Sequence, residues 1–470
     1  MSTQLTQAHK DQLSKWIKPS KRHKFTLLYK ISRDGCNAET FHSHCDNKGP
    51  TVTVLYNTDN SVYGGYTSVS WTSSDGYIND AKAFLFQLEY SGTAKPQKFP
   101  NKTNGTDAIY GYANYGPIFG RGNDLYCFKK NVNRSGNHFA LNGYASVGKT
   151  YDMQGQDYKS VMNGHLKVID LEVYSVEEYV LLSQPWVRDI DWSATFEETI
   201  KNKVANYKPL SGLDLKQARI LLVGQVGAGK SSYFNTINSI FRGHISGQAN
   251  VGSAEHSLTT SYRMYEIHDG YASQTLNFRF CDTRGLKEDQ GLNDQDAGYI
   301  LDGHVPDRYN FNPAIPFTSD AQGFVKKPTF SDKIHCVAFV IDASTVDVIP
   351  EEVLERIRAM QVGMNYRGVP QMILLTKIDK ICEEISHDVS KVFFSSAVKE
   401  CVDKVAVLMG LPRSHVLPVK NYECEAELDQ NVNILSLRSL GRILNFVDDL
   451  LFNKLDEIAA GKIDALNTNE

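Results

Sequence analysis

The stretch Gly224-Gln225-Val226-Gly227-Ala228-Gly229-Lys230-Ser231 has two glycines, a lysine and a serine at fixed offsets, and its flanks decide what fold can hold it. Ile220-Leu221-Leu222-Val223 before it is an unbroken apolar run, as a parallel strand buried on both faces requires. Between Ser231 and Arg242, Phe234, Ile237 and Phe241 recur at three-to-four spacing, which predicts a helix with one face on a sheet. Strand, glycine loop and helix form the context in which this spacing cradles phosphate. The glycines let successive N–H groups turn inward around anionic oxygens, and the helix N-terminus adds partial positive charge. Gly224, Gly227, Ala228, Gly229 and Ser232 are expected to build the cradle. Lys230 is expected to reach the β and γ phosphates, and Ser231 to put its hydroxyl on Mg²⁺.

Downstream, the chain has an α/β texture. Gly243–Ser257 is rich in glycine and serine and reads as a loop ending at Thr259-Thr260, either of which could approach Mg²⁺ and the γ phosphate or merely begin the next strand. Tyr262–Ile267 and Leu276–Phe280 read as a hairpin. The second of these runs into Asp282-Thr283-Arg284-Gly285, about 50 residues after Lys230. An acid at a strand end would hold Mg²⁺, and Gly285 would offer an N–H to the γ phosphate. Residues 286–331 show little periodicity and are read as an inserted lid or partner-binding loop. Strands are expected at Ile334–Ile341, Gln371–Thr376 and Val416–Val419, and helices at Glu351–Met360, Val389–Met409 and Ile434–Ile458. Thr376-Lys377-Ile378-Asp379 follows a strand. A carboxylate at Asp379 can accept both N–H groups that guanine presents, a pair that adenine lacks. Lys377 would lie along the base, and Lys420-Asn421 would be a weaker base-side contact.

The N-terminal half differs. Leu5–Ile17 reads as a short helix, and from Lys24 to Val176 short β-branched segments alternate with glycine, asparagine and aspartate clusters, the pattern of an antiparallel sandwich. Cys36, His42, His44 and Cys45 fit none of the usual structural zinc spacings and read as core and loop residues. Asp34, Asp46 and Asp124 flank turns rather than forming an acid pair.

Composition excludes little else. With 470 residues, 41% hydrophobic content and a formal net charge of -4, the chain is long enough for two or three domains and gives no electrostatic reason to bind nucleic acid. No run reaches the roughly 18 apolar residues of a membrane span, no leader-like segment follows Met1, and neither end carries a lipidation motif. A soluble cytoplasmic protein with reduced cysteines is expected.

Several N-terminal stretches resemble a TLDc domain: Leu27-Leu28-Tyr29-Lys30 with Ser32-Arg33-Asp34-Gly35, Tyr63-Gly64-Gly65-Tyr66 with Trp71, Gly116-Pro117-Ile118-Phe119-Gly120, and Glu172-Val173-Tyr174. In the other half, the order of glycine loop, threonine, Asp282-x-x-Gly285 and Thr376-Lys377-x-Asp379 resembles a guanine-nucleotide-binding domain. Together with Lys333-Ile334-His335-Cys336-Val337 and Leu417-Pro418-Val419-Lys420-Asn421-Tyr422, the whole is similar to the interferon-induced protein 44 family. The resemblance implies an antiparallel β-sandwich over 1–176, a connector over 177–215, a P-loop GTPase-like α/β domain over 216–458 and a tail over 459–470. It also implies a cytoplasmic, interferon-inducible protein of antiviral defence that takes GTP and Mg²⁺. Protein partners are expected at the TLDc-like half and at the insertion, and self-association is left open. Leu286 stands where small signalling GTPases place the glutamine that orients water, so hydrolysis should be slow or depend on a partner. Two alternatives remain: a scaffold that binds GTP without hydrolysing it, and a structural protein with no nucleotide.

Overall fold

The computed structural model describes residues 5–19, 21–188, 190–249, 261–270, 274–283, 285, 286, 294–311 and 317–461. They form two compact units, Met1–Tyr179 and Val180–Glu470.

The first unit is β-rich. An eight-stranded antiparallel sheet runs in the order Arg134–Ser135, His138–Ala140, Lys167–Glu178, Thr51–Asn57, Val62–Thr67, Phe84–Tyr90 and Thr93–Pro100, and His23–Lys30 pairs with the long strand Lys167–Glu178. A four-stranded sheet (Leu125–Tyr126, Ile118–Phe119, Ile109–Tyr112, Ser74–Ile78) completes it. The two meet where Gly65 lacks a side chain: a Cβ there would lie 2.6 Å from the ring of Phe119, so only glycine lets that ring seat. The N-terminal helix is Gln7–Ile17, capped by the Thr6 hydroxyl on the His9 N–H. The strands Ser74–Ile78 and Thr93–Pro100 are largely exposed and so lack an apolar alternation that would mark them in the sequence.

The polar residues singled out in this unit are structural. His42 bonds Asp46 through Nδ1 (2.7 Å) and the carbonyls of Tyr112 and Tyr115 through Nε2 (2.9 and 3.0 Å). Asp124 Oδ1 accepts from the N–H groups of Gly148 and Lys149 at 2.8 and 2.9 Å, pinning a turn. The buried Lys30 ammonium pairs with Glu172 at 2.8 Å and Asp170 at 3.3 Å.

The second unit is α/β. Its elements are α1 (Ala194–Ala205), β1 (Ala218–Gly224), α2 (Lys230–Arg242), β2 (Arg263–Asp269), β3 (Gln274–Asp282), α3 (Asp294–Leu301), β4 (Cys336–Asp342), α4 (Glu351–Tyr366), β5 (Gln371–Thr376), α5 (Ser396–Met409), β6 (Val416–Pro418) and α6 (Gln430–Ala459). The sheet order is β2-β3-β1-β4-β5-β6; β2 is antiparallel to β3 and every other pair is parallel. Alternate residues of β1 face opposite cores, Leu221 and Val223 toward α3, α4 and α5, Ile220 and Leu222 toward α2 and α6. Leu437, Leu440, Ile443, Leu444 and Val447 of α6 are buried, and at about 1.5–3 kcal/mol per buried aliphatic side chain they fix α6 on the sheet.

Three expectations need correction. The single helix expected over Val389–Met409 is a 3-10 turn, Val389–Phe394, followed by α5. The break has a cause: the carbonyls of Phe393 and Phe394 accept from the N–H groups of Trp186 and Leu182, and Ser395 is extended, its hydroxyl capping Val398. The described part of the 286–331 insertion is not an aperiodic loop. It holds α3, and Ala297, Ile300, Leu301, Val305 and Phe317 enter the core. The 177–215 stretch, read as a connector, contributes α1 and the Leu182 and Trp186 contacts to the second unit from Val180 on.

Candidate functional site

The parallel order sets the site. The chain runs from β1 outward to β2 and β3, then returns to β4 on the other side, so the carboxyl ends of β1 and β4 form a topological switch point, the place where open α/β sheets take ligands. Gly224 ends β1, Asp282 ends β3, Asp342 ends β4, Thr376 ends β5 and Pro418 ends β6.

At this end the glycine loop turns through Gly227 (φ 76°) and Gly229 (φ 98°), conformations that a side chain makes costly. α2 begins at Lys230 with Gly229 as its cap and no side-chain cap bond, so the free N–H groups of its first turn face the loop. The Lys230 ammonium is buried and donates to the carbonyls of Gly224 and Gln225, both at 3.1 Å. Burial lowers its pKa, against the opposing charge of Asp282. Ser231 Oγ donates to Asp282 Oδ2 at 2.6 Å. Asp282 is fully buried, and its Oδ1 has no hydrogen-bond partner among the described residues. Burial raises its pKa, and Lys230 and Ser231 oppose the shift.

Two further elements brace the loop. Thr376 Oγ1 donates to the Ala228 carbonyl at 2.6 Å and the Ile341 carbonyl at 3.1 Å. Asn421 Nδ2 donates to the Gly229 carbonyl at 3.2 Å, while its Oδ1 is buried without a partner among the described residues. Sequence reasoning placed Asn421 on the base side; the structure ties it to the loop backbone. Its position after a strand end was the only signal that could have pointed to it.

Gly285 lies against Val226, so close that a Cβ would stand 2.6 Å from Val226 Cγ2. The next N–H, of Leu286, donates to the Gly224 carbonyl at 3.0 Å, and the Leu286 side chain is 1% exposed within the core. Lys377 takes a left-handed conformation (φ 55°) and pairs with Asp342 Oδ2 at 2.7 Å. Asp379 follows in a 3-10 turn; burial raises its pKa, while the charges of Lys420 and Lys380 lower it. Lys420 itself pairs with Glu425 at 2.9 Å. Ser232 lies in the first turn of α2, its carbonyl accepting from Thr236. Thr259, Thr260 and Arg284 lie outside the described residues.

Comparison with known proteins agrees with this division. The TLDc domain family model matches residues 2–177, so the β-rich unit is a TLDc domain. Interferon-induced protein 44-like from Homo sapiens is 30% identical over 444 residues, covering 91% of this chain and 90% of its own length. Interferon-induced protein 44 is 30% identical from Homo sapiens, over 93% of this chain and 92% of that one, and 30% identical from Mus musculus, over 92% and 95%. The chain belongs to the interferon-induced protein 44 family. A solved structure of an Aquifex aeolicus Era variant bound to GDP.AlF4- aligns with 49% of this chain and 57% of that one at 16% identity and a TM-score of 0.26, too loosely to bear on the fold.

Proposed function

We propose that the second unit is a guanine-nucleotide-binding domain of P-loop type, spanning about 216–458, in a cytoplasmic, interferon-inducible protein of antiviral defence. The observation that carries the reading is the junction of Lys230, Ser231 and Asp282. A buried ammonium, a hydroxyl and a buried carboxylate with one oxygen unpaired among the described residues stand at the start of a helix, behind a loop with two left-handed glycines. A buried charge without its full set of partners is costly, and phosphate with a divalent cation is the chemistry that would complete this set.

The donors suit Mg²⁺, a hard cation that prefers hydroxyl and carboxylate oxygens. Ser231 and Asp282 would hold it, and when bound it would neutralise charge on the β and γ phosphates. Lys230 would leave the carbonyls of Gly224 and Gln225 and move onto phosphate. Asp379 would accept from guanine, with Lys377 held in its turn by Asp342. Thr259 or Thr260 and the Gly285 N–H would sense the γ phosphate.

A second reading is favoured by one observation. Leu286 packs into the core, so position 286 supplies nothing that orients water; GTP hydrolysis in the first reading would then be slow or partner-dependent, and in the second the domain would be a GTP-dependent scaffold that does not hydrolyse it. Protein partners would bind the TLDc unit and the region 286–331. Calorimetric titration with GTP, GDP and ATP in Mg²⁺ tests the first reading: GTP and GDP should bind and ATP far more weakly. Absence of any nucleotide binding would sink it. Phosphate release then separates enzyme from scaffold.

A further inference from the structure

A well-formed cavity lies away from the glycine loop. It lies within the second unit, beside the open edge of the sheet at β6, between α1, α6 and the segment around Trp186, and has a volume of about 650 Å³, within the ~300–1,000 Å³ of ligand sites. Its walls are Trp186, Phe196, Ile200, Phe393, Leu435 and Leu437. Its charged lining has one sign: Lys203, Arg413, Arg438 and Arg442 line it, and no acid does.

Arg413 is already satisfied, paired with Asp403 at 3.1 Å and laid over the Trp186 ring at 4.7 Å. Arg438 and Arg442 are not: among the described residues neither has an ion pair or hydrogen bond, and Arg442 only covers the Phe446 ring. Arg438 is half-buried and Arg442, one turn on, exposed, so the positive charge runs from the wall to the mouth. Burial, and then the charge of Arg442, lower the pKa of Arg438, the mark of a cation lacking its counter-ion. The indole N–H of Trp186 is buried without an acceptor among the described residues.

One more feature keeps the space open. Gly441 sits in the interior of the long helix α6, lines the cavity, and a Cβ built there would meet nothing within 4 Å. Glycine is unfavourable inside a helix, and no close packing requires it here.

We propose that this cavity binds a long-chain carboxylate, its headgroup between Arg438 and Arg442 and its alkyl chain against the aromatic wall. A neutral apolar guest would leave both guanidiniums unpaired, and a small inorganic anion would leave the walls wet. The site is independent of the nucleotide reading.

The test is calorimetric titration of the full chain with laurate below its micelle concentration, alongside dodecanol, monododecyl phosphate and inorganic phosphate. Laurate should bind saturably at one site, dodecanol at least tenfold more weakly, and inorganic phosphate without detectable heat. Monododecyl phosphate should bind more weakly than laurate; tighter binding would overturn the carboxylate. Arg438→Gln with Arg442→Gln should weaken laurate at least tenfold, and Arg438→Lys should keep its affinity within about threefold. Gly441→Leu should abolish binding while melting no lower than the native chain, which separates a filled cavity from a lost fold. Equal binding of laurate and dodecanol, laurate binding that survives Gly441→Leu, or no laurate binding at all would overturn the proposal.

Discussion

Ser231 Oγ donates to Asp282 Oδ2 across 2.6 Å, joining the first turn of α2 to the end of β3. The other oxygen of Asp282 is buried and unpaired among the described residues, and burial raises the pKa of the group. The native chain therefore keeps a proton that the unfolded chain has given up, and between the two pKa values stability falls as pH rises. Mg²⁺ favours the carboxylate, so binding of the magnesium nucleotide should release a proton and tighten as pH rises through the same window. Calorimetry in buffers of different ionisation enthalpy reads that proton. Asp282→Asn should abolish the release and weaken Mg²⁺-dependent binding at least tenfold, as expected for loss of about 1.5–3 kcal/mol in charge-assisted contacts. It should leave the nucleotide-free chain as stable or more so. Proton release unchanged in the variant would remove Asp282 from the site.

Lys230 is held on two backbone carbonyls, bonds that a phosphate would outcompete because its oxygens carry full charge. Lys230→Ala should lower GTP affinity by about 10-fold to 150-fold, the equivalent of about 1.5–3 kcal/mol. The fold should persist, read as an unchanged circular-dichroism spectrum at the titration temperature, although loss of the ammonium leaves Asp282 without its neighbouring charge and should lower the melting temperature. Unaltered GTP affinity would contradict the assignment.

Strand-buried runs and the α2 periodicity were legible because they are local: Ile220–Val223 can only be a covered strand, and the glycines that follow can only turn. The site depends on what meets what. Asp282 at a strand end is readable, but its 2.6 Å contact with Ser231 comes from the parallel register of β1 and β3. Asn421 is readable only as a base-side candidate and Asp342 carries no motif; the neighbouring strand ends reveal that one braces Gly229 and the other holds Lys377. Helix α3 was missed because Asp294-Gln295-Asp296-Ala297-Gly298 is a poor helix former by itself; Ile300 and Leu301 gain their burial from the core. Ser395 breaks an apolar pattern that looks continuous because a remote segment takes the carbonyls before it.

Leu286 carries a prediction that its sequence position alone does not suggest. Restoring the usual glutamine should not restore turnover, because the side chain at 286 points into the core at 1% exposure. Leu286→Gln should instead cost about 2–5 kcal/mol through lost packing and a buried amide. The native chain should release phosphate at or below about 10⁻⁴ to 10⁻² per second, and the variant no faster, with a lower melting temperature. A gain of tenfold or more in the variant would show that position 286 reaches the phosphate end.

Asp379 is the sharpest test of the base, because its argument is complementarity rather than strength. An ionised carboxylate only accepts, which matches the two N–H donors of guanine and opposes the ring nitrogen acceptor of adenine. Burial pushes the Asp379 carboxyl above its ordinary range, and the nearby Lys420 charge opposes that shift; in its ionised form the carboxylate should prefer guanine over adenine. Asp379→Asn replaces one acceptor oxygen with an NH₂ donor. Guanine's exocyclic amine would then face a donor, at a cost of about 1–3 kcal/mol for the unmet pair, whereas xanthine presents a carbonyl there. In competition titrations the variant should lose GTP by about 5-fold to 150-fold and gain xanthosine triphosphate, while its dependence on Mg²⁺ stays with Ser231 and Asp282. Retained preference for GTP over the xanthine nucleotide would mean that another group reads the base.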